Sequence, residues 1–306
     1  MSEPTLTEQS KVYWLHALTP LHIGVGFGLG FIDLPIMREK VTNWPMAPGS
    51  GIKGVLADHH HAATEESREK NPILRAAFGR SGNEHSNSGS LVFTDARIVC
   101  LPVRSLYGTF AWITSPLALD RLRRDLADAG TAAGLPQPLV ALEEKILLPT
   151  EPATALKGTD QKVYLADLDL TAEPSVNVST WADKLAGWLF PDEPAWKPEF
   201  RKRFGVVGEN CFNFLCETAT EVIPRVRIDP AQKTVQRGAL WYEEYLPAET
   251  ILAGLVWCDR VFGGDGATPT QLMKDYCSGT VRLQLGGKAT VGKGRVRCIF
   301  GGNHAR

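Results

Sequence analysis

The sequence predicts an α+β fold: a βαββαβ, ferredoxin-like core that carries insertions. Three observations predict it. Strand-like runs open and close the chain, at residues 11–18 and 295–300. Between them strand-like and helix-like runs alternate instead of segregating. No internal repeat or low-complexity linker divides the 306 residues, a length that suffices for one large domain with insertions or for two small ones.

The elements follow in order. KVYWLHAL at 11–18 alternates and is rich in β-formers, which predicts a strand. Glycines at 24, 26, 28 and 30 predict a loop. Ser50 stands before GIKGVLADHHHAAT as the expected cap of a helix. Residues 72–78 predict a short helix, and 90–101 and 108–114 predict strands. Ser115 caps PLALDRLRRDLADAG, where Leu117, Leu119, Leu122 and Leu126 form a helical stripe that Gly130 ends. Residues 131–180 are punctuated by Pro, Thr and Gly, with short strands near 143–148 and 162–170. A helix is expected at 181–189. Two β-like arms, 220–228 and 235–245, flank the turn cluster Asp229-Pro230-Ala231-Gln232. A strand at 250–261, a short helix at 269–276, and strands at 280–285 and 295–300 complete the chain.

Composition bounds the function. Apolar residues make up 43% and charged residues 22%, ordinary for a globular protein. No apolar run approaches the roughly 18 residues of a membrane helix, so no membrane partner is expected. The first residues, MSEPTLTEQSK, are polar and unlike a signal peptide, which makes a cytoplasmic location the expectation. Six cysteines without a CxxC spacing predict reduced, mostly buried thiols and no zinc site. A net charge of −1 argues against nucleic acid, but the distribution argues for it. After Asp275 no acid appears, whereas Arg282, Lys288, Lys293, Arg295, Arg297 and Arg306 do. Phe200-Arg201-Lys202-Arg203 is a second basic knot, and Arg225, Arg227, Lys233 and Arg237 form a third. The pattern fits a subunit that grips nucleic acid on one face and protein on others, or simply solvated faces.

Two glycine-rich segments carry the strongest signal: 19–58 and 285–297. Glycine lets a backbone approach a ligand closely, and Lys and Arg nearby let cations and N–H groups converge on phosphates. The spacing of Gly24, Gly26, Gly28 and Gly30 fits no dinucleotide-binding fingerprint. GKATVGK at 287–293 matches a P-loop spacing, but Gly294 replaces the magnesium-binding hydroxyl and a strand-like run follows. No organic cofactor is expected.

PGSGIKGVLAD at 48–58, LHIGVG and IDLPIMRE before it, GALWYEEYLP at 238–247 and the terminal LGGKATVGKGRVR together resemble the RAMP proteins of CRISPR systems. The IDLPIMRE and GALWYEEYLP blocks resemble one branch, the backbone subunit of the type III-B (Cmr) effector complex. The resemblance spans most of the chain, although residues 60–215 add little to it. It implies a modified ferredoxin-like, RNA-recognition-motif palm with insertions and a β-hairpin thumb, here a single domain over 1–306 with the thumb at 217–247. It implies copies stacked along a CRISPR guide RNA, other subunits of the complex as partners, and a metal-dependent endoribonuclease that cuts complementary target RNA at regular intervals. The alternative within the same fold is a non-catalytic RNA-binding scaffold.

The resemblance assigns the cutting aspartate to Asp33, a nearby histidine to His22, and the thumb acid and tyrosine to Glu243 and Tyr245. It assigns a phosphate-gripping lysine to Lys53. Chemistry agrees. An aspartate, at an ordinary pKa of about 3.9, is a feeble base. It suits a divalent ion, Mg2+ or Mn2+, that acidifies the attacking 2′-hydroxyl. Opening the duplex lets the ribose–phosphate reach in-line geometry. His22 fits an acid, a base, a phosphate contact or a structural role. Ser50 and Lys53 at a helix start favour phosphate. RNA contacts are further expected at Gly24, Gly26, Gly287, Lys288, Lys293, Arg295 and Arg225. Arg38 and Glu39, which follow Asp33, form either an ion pair or an RNA grip. Alternation sends Glu243 and Glu244 to opposite faces.

Overall fold

Seven of the eight residues of β1 (Ser10–Ala17) are buried, a pattern that needs cover on both sides. Tyr13, Leu15 and Ala17 enter one core, while Val12 and Trp14 enter another. Successive side chains of a strand point to opposite faces, so the sheet is packed on both. The computed structural model describes residues 10–26, 28, 30–61, 66, 70–79, 86–140, 143–150, 153–263 and 266–301. The polar first residues, Phe27 and Leu29 of the first glycine loop, and Arg306 lie outside these.

After β1 come β2 (Met46–Ala47), α1 (Gly49–His59), α2 (Pro72–Phe78), β3 (Val92–Phe93), β4 (Ala96–Arg104) and β5 (Phe110–Thr114). Then follow α3 (Pro116–Asp128), β6 (Lys145–Pro149), β7 (Lys162–Leu165), β8 (Leu168–Ser175), α4 (Val176–Leu189), α5 (Trp196–Arg203), β9 (Phe204–Val207) and α6 (Glu209–Thr218). The chain ends with β10 (Glu221–Ile228), β11 (Val235–Tyr245), β12 (Ile251–Trp257), α7 (Pro269–Tyr276), β13 (Thr280–Gln284) and β14 (Arg295–Phe300).

The spatial order β14-β1-β12-β4, antiparallel throughout, is the expected βαββαβ palm. Its first, second, third and fourth strands are β1, β4, β12 and β14, and α1 and α7 lie in its two crossovers. β13 extends the palm beyond β14. The insertion continues the sheet on the other side, in the order β5-β9-β6-β8-β7, with β5–β9 and β6–β8 parallel. Leucines of α3 and α4, with Trp181, fill one core against Trp14 and Trp112. Ile52 and Leu56 of α1, Leu272 and Met273 of α7, and Phe212 of α6 fill the other.

Local chemistry sets the element ends. Asn71, Ser115 and Thr268 accept hydrogen bonds from N–H groups in the first turns of α2, α3 and α7, each followed by Pro. Ser50 does not cap α1. Pro48 holds the cap position, and the Gly49 N–H donates instead to Asp95 Oδ1 at 2.8 Å. The strand expected at 90–101 breaks at Thr94-Asp95 for the same reason: Asp95 serves α1, and Thr94 accepts the Tyr13 hydroxyl at 2.6 Å. The 200–203 basic knot is the end of α5. Arg201 pairs with Asp183, and Lys202 and Arg203 with Glu199, so its charge is neutralised locally. Among the described residues no helix is long and apolar enough to cross a membrane.

Candidate functional site

The two glycine segments meet. The first folds back on itself, with Gly24 bridged to Ile36 and the Met37 N–H donating to Ile23 O at 2.7 Å. The second closes over it: Gly287 N–H donates to His22 O and Gly294 N–H to Pro20 O, both at 2.9 Å. A Cβ on Gly286, whose φ is +76°, would lie 2.2 Å from His22 O, so this glycine is required by packing. Gly24 and Gly26 form an exposed rim.

The imidazole of His22 is buried, and its Nδ1–H donates to Glu244 O at 2.7 Å, since a carbonyl can only accept. In the neutral ring that leaves Nε2 as the acceptor. Asp33 is exposed. Its Oδ2 accepts the Tyr242 N–H at 2.8 Å, and among the described residues its other oxygen has no hydrogen-bond partner. The Leu34 N–H donates to Tyr242 O at 3.1 Å, and Glu244 N–H donates to Leu34 O at 3.0 Å. The Asp33 loop therefore runs along the free edge of β11. Opposite Tyr242 on β10 stands Pro224, which has no N–H to offer. None is needed, because both backbone groups of Tyr242 turn outward to the loop.

Glu243, 2% exposed, lies under the thumb root. Its Oε1 accepts Lys288 Nζ at 2.5 Å and Trp241 Nε1 at 2.8 Å. Its Oε2 accepts Arg225 Nε at 3.1 Å and the Tyr245 hydroxyl. Burial alone would raise its pKa. The bonds from Lys288, Tyr245, Trp241 and Arg225 outweigh it and hold the carboxyl at about 2. Burial and the Glu243 bond raise the Tyr245 phenol, whose ring lies 4.8 Å from Lys293 Nζ. The expected RNA cations Arg225 and Lys288 are thus engaged with Glu243, and the expected cutting-site pair Glu243 and Tyr245 is buried in a saturated network.

Glu244 faces the other way, as alternation requires. It is 3% exposed and accepts Ile36 N–H at 3.0 Å and Arg38 Nη2 at 2.6 Å. Arg38 also donates to Asn43 O and Cys216 O. Arg38 and Glu39 do not pair with each other: Arg38 forms its ion pair with Glu244. Neighbouring Glu39 instead pairs with Arg121. The sequence placed Glu244 correctly opposite Glu243 but gave it no partner. The signal was the Arg in IDLPIMRE, which had no acid at helical or strand spacing to pair with.

Lys53, on α1, donates to Leu91 O at 2.7 Å and is half-buried, while Ser50 is exposed in the first turn. Arg295 is exposed at the start of β14. Arg227, Lys233 and Arg237 are exposed near the thumb tip and form no ion pair among the described residues. Arg297 is not part of a basic face; it is buried and bound to Glu193 and Leu189 O. The P-loop spacing is accidental. Lys288 is left-handed at φ +67°, and only a three-residue 3-10 turn, Ala289–Val291, follows it before β14. The His59-His60-His61 run is not a ligand set, because the His60 ring packs on Phe78 and Tyr276.

The sequence matches the RAMP superfamily over residues 14–297. It is 34% identical over 301 residues to the CRISPR system Cmr endoribonuclease Cmr4 of Pyrococcus furiosus, covering 95% of this chain and 98% of that protein. It is 23% identical over 308 residues to the CRISPR system CMR subunit Cmr4 of Saccharolobus solfataricus, covering 94% of each. The fold superposes on oligomeric Cmr4 from Pyrococcus furiosus with a TM-score of 0.71 at 26% identity, over 96% of this chain and 98% of that one. A chain of a type III-B Cmr-beta complex bound to cognate target RNA shares the fold, with a TM-score of 0.69 at 19% identity, over 95% of this chain and 96% of that one. The chain belongs to the RAMP superfamily.

Proposed function

We propose that this RAMP-superfamily chain is the backbone subunit of a type III-B CRISPR effector. Its copies line up along a guide RNA with the other subunits, and each acts as an endoribonuclease on bound target RNA. Asp33 belongs to the cutting site. The observation that carries this reading is the exposed Asp33 carboxylate, fixed by one backbone N–H at the root of a protruding hairpin. Similarity to a named endoribonuclease over nearly the whole chain supports it.

Among the described residues no three His, Cys, Asp or Glu side chains gather as a metal cage. A single hard carboxylate oxygen still fits Mg2+ or Mn2+, which keeps several waters and takes phosphate oxygens as ligands. Asp33 would hold such an ion through its free oxygen. The ion supplies a lowered pKa for the attacking 2′-hydroxyl and charge neutralisation at the phosphate.

The protein's own contribution is placement. The Tyr242 N–H fixes one oxygen of Asp33 and aims the other outward. His22, held by Glu244 O, keeps Nε2 as an acceptor beside the glycine rim. The exposed cations of the thumb and of β14 offer counter-charge to an RNA backbone.

The test is Asp33→Asn in every copy of a reconstituted complex, because Asn keeps an acceptor oxygen for Tyr242 while it removes the charge and turns the other oxygen into an NH2 group. Guide-directed cutting should fall by at least about 100-fold, with guide and target binding unchanged. Undiminished cutting would remove Asp33 from the site and favour a scaffold whose cleavage is done elsewhere.

A further inference from the structure

We infer that Glu244 is a positioning residue for Asp33, and that its ion pair with Arg38 locks the Asp33 loop to the thumb root. The inference rests on the reading of Asp33 given above. Residues 33–38 reach β11 through two kinds of contact. Leu34 makes backbone bonds to Tyr242 and Glu244, at 3.1 and 3.0 Å. Beyond it, Pro35 faces away from β11, its carbonyl accepting Val25 N–H at 3.4 Å, and the next rung, Ile36 N–H to Glu244 O, is not made because that carbonyl accepts His22 Nδ1–H. The Glu244 carboxylate takes over at this gap. One oxygen accepts Ile36 N–H at 3.0 Å and the other accepts Arg38 at 2.6 Å. Two further residues of the loop, Ile36 and Arg38, are thus registered by one side chain on the same strand that fixes Asp33.

The lock is anchored at its far end too. Arg38 donates to Cys216 O on α6 and to Asn43 O, at 3.0 and 2.9 Å. With Glu244 3% exposed, its charge is stable only while these partners are in place. Glu244 O meanwhile accepts His22 Nδ1–H. The residue therefore joins His22, the Asp33 loop and the thumb strand, without itself reaching solvent. Cutting requires an aspartate oxygen held to within a fraction of an ångström, and the Glu244 bonds add to the Leu34 and Asp33 bonds that tie this loop to β11.

The experiment uses Glu244→Gln in the reconstituted complex with a guide-matched target. Three quantities are read: single-turnover cutting rate, target affinity, and amide hydrogen exchange at Leu34 and Ile36. The lock predicts cutting slowed about 10-fold or more, affinity within about twofold, and cut spacing unchanged. It predicts exchange at Ile36 at least about 10-fold faster, with β1 amides unaffected. Arg38→Gln should act in the same direction, and the double variant should be no worse than the more severe single. If Glu244→Gln does not assemble, Glu244→Asp keeps the charge, shortens the reach, and is read in the same way. Unchanged exchange at Leu34 and Ile36, or a rate loss fully explained by weaker target binding, overturns the lock. A loosened loop with normal cutting overturns it as well, provided Asp33→Asn abolishes cutting. If Asp33→Asn also cuts normally, the reading of Asp33 is what has failed.

Discussion

Glu243 has no free lone pair in the plane of its neighbours: Lys288, Trp241, Arg225 and Tyr245 occupy both oxygens. A carboxylate so engaged is a poor proton carrier and a good clamp. It joins β10 to β11 through Arg225, and the second glycine loop to both through Lys288. The linkage to pH follows from its pKa. In the folded protein the group sits at about 2, below its ordinary value of 4.5. The stabilisation is complete above the unfolded value and is lost as pH falls from about 4.5 through about 2. At 1.4 kcal/mol per unit it amounts to roughly 3 kcal/mol. Glu243→Gln should therefore lower stability at neutral pH and flatten the acid limb of the stability curve. Urea unfolding midpoints between pH 6 and 3 measure this; parallel curves for the two proteins would refute the clamp. The sequence suggested Glu243 and Tyr245 but not their burial. The contacts that decide their role join position 243 to positions 225 and 288, which share no local pattern with it.

The thumb is the element that sequence described best. Asp229 Oδ1 accepts the N–H groups of Ala231 and Gln232 at 2.8 and 2.9 Å, the local chemistry of an Asx turn. The arms alternate but stay largely exposed, with Val226 opposite Leu240. The three helices with a polar cap and a following Pro were likewise legible, because capping is chemistry within four residues. The segment from α5 to α6 was not. Its charged run read as a surface patch, when the acids that neutralise it lie within one turn and on α4. The exposed cations Arg227, Lys233 and Arg237 are the part of the thumb suited to a phosphate backbone. Replacing all three with Ala should reduce the slope of log affinity against log salt by about 2, at about 0.7 per contact with single-stranded RNA. Thermal stability should hold, since none of the three makes an ion pair among the described residues. RNA titrations over a range of KCl concentrations measure it, and an unchanged slope would remove the thumb tip from the phosphate contacts.

At the scale of the whole molecule, the first and last strands are one structure. β1 lies between β12 and β14, and the loops that leave β1 and β13 close on each other through His22 and Pro20. The glycines there were read as places where RNA could come close. Gly24, Gly286 and Gly294 are also places where the chain comes close to itself. That distinction can be measured with two substitutions. Gly286→Ala puts a Cβ 2.2 Å from His22 O at a φ of +76°, and backbone cannot move aside cheaply. It should cost about 2–4 kcal/mol and lower the melting temperature by roughly 5–10 °C. The seam it opens holds His22 to the second glycine loop, so guide loading should fall with it. Gly54→Ala, in the middle of α1 with nothing within 4 Å of its added methyl, should instead stabilise by about 0.5–1 kcal/mol. Differential scanning calorimetry of the isolated chain measures both. Equal and small effects would mean that the ends fold independently, and that the seam between them does not hold the palm closed.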